Sequence, residues 1–292
     1  FYMKVLNYGS LNVDYVYSVD HIIVGGETQH SSKLEVFSGG KGLNQSIALA
    51  KAGVPVYHAG IVGTDGDILL EACKEAGVNT KYIRRLPVKG GHTMIQVDKN
   101  AQNCIILYGG TNQMQTKEFV DEVLADFGEG DYLILQNEIN MLDYIIDQAY
   151  EKKMKIVMNP SPFDDKLSTC DLSKVYLFLV NEIEGEQITG CKDKDQILDA
   201  MAAKFPNARF VLTLGSDGAV YYDGKEKVFQ DIFKVKAVDT TAAGDTFTGY
   251  FIAAVIEGRS IQEALRMAAK ASSIAVSRPG ATPSIPRADE VK

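Results

Sequence analysis

Nine residues near the carboxyl end of the chain, Asp239-Thr-Thr-Ala-Ala-Gly-Asp-Thr-Phe247, join a small-residue turn to an apolar run from Phe247 to Ile256. Such a turn forms the N-terminus of a helix, where backbone N–H groups lack partners and carry partial positive charge. That is an anion site, with Ala243 and Gly244 as its amide donors. Asp245 sits at the mouth of the same helix, where a carboxylate can act as a base beside a bound phosphate. An isolated Ala-Gly-Asp is more often a plain helix start, but a second glycine constellation has the complementary chemistry. Ser38-Gly-Gly-Lys-Gly-Leu-Asn-Gln45 follows a β-like segment and opens the apolar-periodic stretch Ile47 to Ala52. Its paired glycines bring backbone close to a small ligand, and Lys41 and Asn44 add polar reach. Lys41 is followed by Gly42, so the string is not a Walker loop, and no G-x-G-x-x-G dinucleotide fingerprint follows the first strand.

These residues need a frame, and the rest of the chain alternates β-rich runs with helical patterns. Lys4–Tyr8, Val56–Val62, Tyr132–Gln136, Ile156–Asn159, Tyr176–Val180 and Phe210–Thr213 read as short buried strands. Asp67–Ala76, Lys117–Phe127, Leu142–Lys152, Ile183–Thr189 and Gln196–Lys204 have the apolar spacing of helices. The expectation is an α/β fold: a mostly parallel central sheet flanked by helices on both faces. In such sheets ligands gather at the carboxyl ends of the strands. Asn12, Asp14, Glu138, Asn181, Thr213 and Gly215 all fall just after a predicted strand.

Two stretches break the alternation. Tyr15–Val19, Lys33–Phe37, His92–Val97 and Asn103–Leu107 read as antiparallel strands, interrupted by turns at Gly25-Gly26 and Asp98–Ala101. Four short strands cannot bury both faces alone, so they predict a small β lid, from segments at about 15–38 and 91–109, inserted in one domain spanning 1–292.

Taken with Gly9-Ser-Leu-Asn-Val-Asp14, the two glycine constellations resemble the ribokinase-like family of carbohydrate kinases, nearly end to end. The resemblance implies an ATP-dependent sugar kinase with Asp245 as the base that deprotonates the attacking hydroxyl. It assigns Asn12, Asp14, Gly40, Lys41, Asn44 and Glu138 to the sugar. On the nucleotide side it implies Asn181, the turn Thr213-Leu214-Gly215-Ser216-Asp217-Gly218, and the Ala243-Gly244 amides. Glu184, from an Asn-x-x-Glu element that would otherwise read as a helix cap, is implied to help hold hydrated magnesium. A monovalent cation, potassium, is implied near Asp239, Thr241, Ala275, Arg278, Gly280 and Ser284. The lid of the family closes over the sugar and packs against a second subunit, which implies a homodimer. Ala269 stands at an adenine-side position that is often polar in the family. The favoured acceptor is D-ribose at its 5-hydroxyl. Another sugar, polyol or nucleoside remains open through Gln136-Asn-Glu138 and Gly109–Asn112, and a sugar-binding protein without catalysis is disfavoured by the presence of Asp245, Gly244 and Glu184 together.

Composition agrees. The 292 residues are 46% hydrophobic with net charge −8, which argues against nucleic acid or anionic membranes as partners and leaves local dipoles and a metal to hold an anionic substrate. Cys73, Cys104, Cys170 and Cys191 are widely spaced, so a reduced compartment is expected. The four histidines show no metal spacing and read as surface or packing residues. No apolar stretch reaches membrane length and no signal peptide is read before the first strand, so the expected location is the cytoplasm. Phe1 and Tyr2, ahead of Met3, read as additions to a natural start.

Overall fold

The computed structural model describes residues 3–100 and 102–292; Phe1, Tyr2 and Ala101, the last residue of the expected Asp98–Ala101 turn, lie outside the described residues. In chain order the strands are β1 (Val5–Tyr8), β2 (Asn12–Ser18), β3 (Lys33–Gly39), β4 (Tyr57–Val62), β5 (Asn79–Arg85), β6 (His92–Val97), β7 (Asn103–Tyr108), β8 (Tyr132–Leu135), β9 (Lys155–Met158), β10 (Leu177–Asn181), β11 (Arg209–Thr213), β12 (Ala219–Tyr222) and β13 (Lys227–Gln230). The helices are α1 (Lys41–Lys51), α2 (Asp67–Ala76), α3 (Lys117–Leu124), α4 (Leu142–Glu151), α5 (Glu182–Thr189), α6 (Lys194–Lys204), α7 (Ala243–Ile256) and α8 (Ile261–Val276).

Nine strands form one sheet in the order β13-β12-β11-β10-β9-β8-β1-β4-β5. From β11 to β5 every pair is parallel, while β12 and β13 add antiparallel at one edge. Neighbouring residues of a strand face opposite sides, so Val5 and Ile134 join one core while Leu6, Leu133 and Leu135 join the other. The first core is closed by α1, α2, α7 and α8, the second by α3, α4 and α6. The expected mostly parallel sheet covered on both faces is therefore the observed one. Strand order reverses at β1, which has β8 on one side and β4 on the other. The crevice beyond the carboxyl ends of β1 and β8 is the place where such a sheet binds ligands.

The second sheet has the order β3-β2-β6-β7. Both of its hairpins, β2–β3 and β6–β7, are antiparallel as expected, and a parallel pair, β2–β6, joins them. β2 begins at Asn12, three residues before the predicted Tyr15, so Asn12 and Asp14 stand on a strand and not in the loop after β1. The chain crosses into this sheet at Gly39-Gly40, Gly90-Gly91 and Gly109-Gly110; a Cβ on Gly110 would strike the Gly90 backbone, and one on Gly39, Gly91 or Gly109 would strike the side chain of Asp14, Asn112 or Gln113. No helix among the described residues is long and apolar enough to cross a membrane.

Candidate active site

Two helix N-termini meet at the carboxyl edge of the sheet. α7 starts after the small-residue turn, and Asp245, its third residue, is buried, with only 5% of its surface exposed. Both of its carboxylate oxygens accept side-chain amides from α1: Asn44 Nδ2 donates to Oδ2 at 2.9 Å and Gln45 Nε2 to Oδ1 at 3.0 Å. The helices can approach this closely because Gly249, one turn beyond Asp245, lies against Ala48 and Leu49, one turn beyond Asn44 and Gln45. The other amide atom of Asn44, Oδ1, is buried and lacks a protein partner, which leaves an acceptor for a ligand hydroxyl.

The predicted sugar residues converge on the β1/β8 crevice. Glu138 Oε2 accepts the Ser10 hydroxyl and the backbone N–H of Lys41, the latter at 3.0 Å. Gly40 caps α1 with φ of 94°, a conformation natural to glycine, and an added Cβ would crowd Asn12 N and Ser10 Oγ. Burial lifts the Asp14 carboxyl to about 6, the Thr93 hydroxyl donating to Oδ1 at 2.6 Å pulls it back, and nearby Glu138 raises it further. Burial likewise pushes Glu138 above the usual carboxylate range, opposed first by the charge of Lys41. The Lys41 ammonium is held above its ordinary value chiefly by Asp245, against the effect of burial. The charge of Lys41 is thus felt by both Asp245 and Glu138. Asn112 Nδ2 donates to Asn12 Oδ1 at 2.7 Å, which leaves the Asn12 amide hydrogens for another acceptor.

On the far side of the first turn of α7 lies a cavity of about 840 Å³. Asn181, Thr213, Gly215, Ser216, Asp217, Gly218, Ala243 and Gly244 all line it, and so does Ala269. That volume is within the range of nucleotide-sized pockets. Two of the expected residues sit differently from the others. Leu214 is buried in the core behind the β11 tip and does not line the cavity, because its backbone N–H closes a turn onto the Gly218 carbonyl. The Ala243 N–H donates to the Thr240 carbonyl at 3.2 Å, because residues 240–243 close a turn before the helix starts, so it is not a free anion donor.

Asn181 and Glu184 form a reciprocal capping box at the start of α5: Glu184 N donates to Asn181 Oδ1 at 2.9 Å, and Asn181 N to Glu184 Oε2 at 3.0 Å. Glu184 is buried behind Asn181 and no group of three or more His, Cys, Asp or Glu side chains fit for a metal occurs among the described residues. This donor set fits a magnesium ion that keeps its waters, held at one remove from a single carboxylate. The loops assigned to a monovalent cation are tied together by Asp239, whose Oδ1 accepts Thr241 N at 2.9 Å and whose Oδ2 accepts Gly280 N at 3.0 Å. The Ala275 carbonyl accepts the Arg278 N–H, Arg278 pairs with Glu290, and the Ser284 hydroxyl donates to the Ala281 carbonyl. These contacts leave the second lone pairs of the loop carbonyls, and no free side chain, as the donors a large, weakly hydrated cation would use.

Several residues at the site carried no assignment from sequence. Ser10 and Gln45 lay inside recognised motifs without a role, and Asn112 lay in a segment noted only for specificity. The stretch Ile232–Val235, which walls the nucleotide cavity with Phe247, Ser272 and Ser273, has neither helical nor strand periodicity and gave no signal.

Comparison with known proteins agrees with the geometry. Residues 3–288 match the profile of the pfkB family of carbohydrate kinases. The chain is 34% identical over 295 residues to the ribokinase of Haemophilus influenzae, covering 97% of this chain and 95% of that protein. It is 33% identical to the ribokinase of Staphylococcus aureus, covering 99% and 98%. The Arabidopsis thaliana ribokinase structure with ribose and ATP superposes with a TM-score of 0.87 at 29% identity, covering 100% of this chain and 98% of that one. With the fold, the paired helix N-termini and the match over nearly all of its length in agreement, this chain belongs to the pfkB family of carbohydrate kinases.

Proposed function

We infer that the protein transfers the terminal phosphoryl group of ATP to the 5-hydroxyl of D-ribose, with Asp245 as the general base. The observation that carries this reading is the position of Asp245 between two half-sites. Its carboxylate is fixed by two amides of α1, the helix whose N-terminus borders the sugar crevice, and its own helix opens onto the nucleotide cavity one residue earlier. The ribose and ATP in the Arabidopsis relative's structure support the choice of substrates.

In this mechanism Asp14, Asn12, Asn44 and Glu138 hold the sugar hydroxyls, and Lys41 offsets the clustered carboxylates. Asp245 takes the proton of the attacking hydroxyl as its oxygen bonds to phosphorus and the bond to the ADP oxygen breaks. Phosphoryl transfer asks mainly for in-line positioning and charge stabilisation. The first-turn amides of α7, beginning with Gly244, receive the charge that develops on the phosphoryl oxygens. Glu184 would help hold a hydrated magnesium ion, which when bound would neutralise phosphate charge. The Asp239 and Gly280 loops would hold potassium, and the bound ion would order the turn that leads into α7.

The lid segments at about 15–38 and 91–109 serve as a cover inserted in one catalytic domain, and they also form a homodimer contact. Support for the contact comes from β7, an edge strand with every residue exposed, with exposed Met94 on the neighbouring β6 and exposed Leu34 and Val36 on β3 at the other edge of the same sheet. An apolar edge of this kind needs a partner.

Asp245→Asn keeps the shape of the side chain and removes its basicity, so kcat should fall by about 10² to 10⁴ with ATP affinity little changed. In a panel of pentoses, hexoses and nucleosides assayed by ADP formation, D-ribose should give the highest kcat/KM, and phosphorus-coupled NMR should identify the 5-phosphate. Near wild-type turnover in the variant would sink the base assignment, and a tenfold preference for a nucleoside or hexose would sink the ribose assignment alone.

A further inference from the structure

Behind Asp245 lies a chain of polar side chains, buried except for half-buried Asn159, whose donor directions are all fixed. Gln45 Nε2 donates to Asp245 Oδ1 at 3.0 Å and to Asn159 Oδ1 at 3.0 Å, and Gln45 Oε1 accepts Gln136 Nε2 at 2.8 Å. Gln136 Nε2 also donates to Asn7 Oδ1 at 2.9 Å. Asn7 Nδ2 donates to Ser46 Oγ at 2.8 Å and to the Gly42 carbonyl at 2.7 Å.

Amide orientation follows from the groups at the ends. A carbonyl only accepts, so Asn7 must present nitrogen to Gly42 O, and Asn159 must present nitrogen to Leu179 O, which it meets at 2.9 Å. Each then turns its oxygen inward, toward Gln136 and Gln45. At the remote end, burial pushes the His58 imidazole down to about 4, so the ring is neutral. Its Nε2–H donates to the Gly9 carbonyl at 3.1 Å, and its Nδ1 accepts the Ser46 hydroxyl at 2.7 Å. Three backbone carbonyls therefore dictate, independently of Asp245, that Gln45 aims a hydrogen at the carboxylate. Gln45 itself has no exposed surface.

We propose that Gln45 is a positioning residue for phosphoryl transfer, holding one carboxylate oxygen of Asp245 so that the other face of the carboxylate meets the attacking hydroxyl. The proposal rests on the reading of Asp245 as the base. Gln45 reaches neither half-site ligand directly in this arrangement; its action passes through Asp245. A fixed base gains over a mobile one because a catalytic group must sit within tenths of an ångström of its productive geometry.

The test uses the full-length enzyme with D-ribose and ATP, and compares Gln45→Met and Asp245→Asn, singly and together, with Ser46→Ala. Gln45→Met should lower kcat about 10- to 100-fold, the scale of a lost hydrogen bond to a charged group, with KM for both substrates within about 3-fold. In the Asp245→Asn background the same change should alter kcat by less than about 2-fold, since the group it positions is no longer a base. Ser46→Ala breaks the chain two links away and should lower Tm while kcat stays within about 2-fold. If Gln45→Met lacks a cooperative melt, Gln45→Asn, which retracts the amide by one methylene, takes its place in the same comparison. Wild-type kcat in the Gln45 variant, a loss confined to KM, or the full loss repeated in the Asp245→Asn background would each overturn the proposal alone. Wild-type turnover in Asp245→Asn would overturn the base reading and the proposal with it.

Discussion

Burial lifts the Asp14 carboxyl to about 6 from an ordinary 3.8, so at neutral pH the folded protein holds a carboxylate in a place that disfavours its charge. Between those two values the native state binds its proton more tightly than the unfolded chain does. The contribution of this group to stability is therefore fully present below 3.8 and is lost as pH rises through 6. Asp14→Asn should raise Tm at pH 8 by about 2 °C or more, and the gain should shrink to nothing as melts are taken down toward pH 4. The same substitution should weaken sugar binding by about 1.5 to 3 kcal/mol, measured by titration calorimetry, because a charged acceptor has become a neutral amide. A variant that lost sugar affinity without gaining stability at high pH would show that Asp14 is not strained in the free protein. Gly39 belongs to the same balance, since a Cβ there would collide with Asp14 Oδ2.

The contact between α1 and α7 sets the spacing of the catalytic groups. A Cβ on Gly249 would strike the Ala48 methyl and press on the Leu49 backbone, so the helices would have to separate. Gly249→Ala touches no ligand. It should nevertheless lower kcat by about 10-fold or more, since small displacements of catalytic groups are costly, and it should lower Tm in thermal melts despite the better helix propensity of alanine. Unchanged kcat would mean that the two helix starts are positioned by something other than this crossing. Such couplings explain what could be read from the chain and what could not. The buried parallel strands were legible because sheets covered on both faces are written as continuous apolar runs, as in Tyr132–Leu135. β5 was not, because its edge position leaves Lys81, Arg84 and Arg85 on it and interrupts the apolar pattern. The glycine turns announced themselves locally. The role of Gln45 did not, because its partner stands 200 residues away and no spacing rule connects them.

The protein as a whole presents an unpaired apolar surface on its lid, centred on β7, where Ile106 is 62% exposed. If that surface joins two copies, Ile106→Lys should shift the sedimentation coefficient from dimer to monomer at micromolar concentration, with the fold intact by circular dichroism. A wild-type protein that sediments as a monomer throughout would leave the lid as a cover only. The two half-sites are also unevenly distributed along the chain. Asn12, Asp14, Lys41, Asn44 and Glu138 all come from the first half, yet the Asn44 contact to Asp245 spans 201 residues. On the ribosome, the residues proposed to face the sugar are made long before the turn proposed to meet ATP. By the proposed mechanism, a growing polypeptide that has not yet reached Ala243 lacks both the base and the α7 amides, and it gains a transfer site only when its last two long helices have been synthesised and docked.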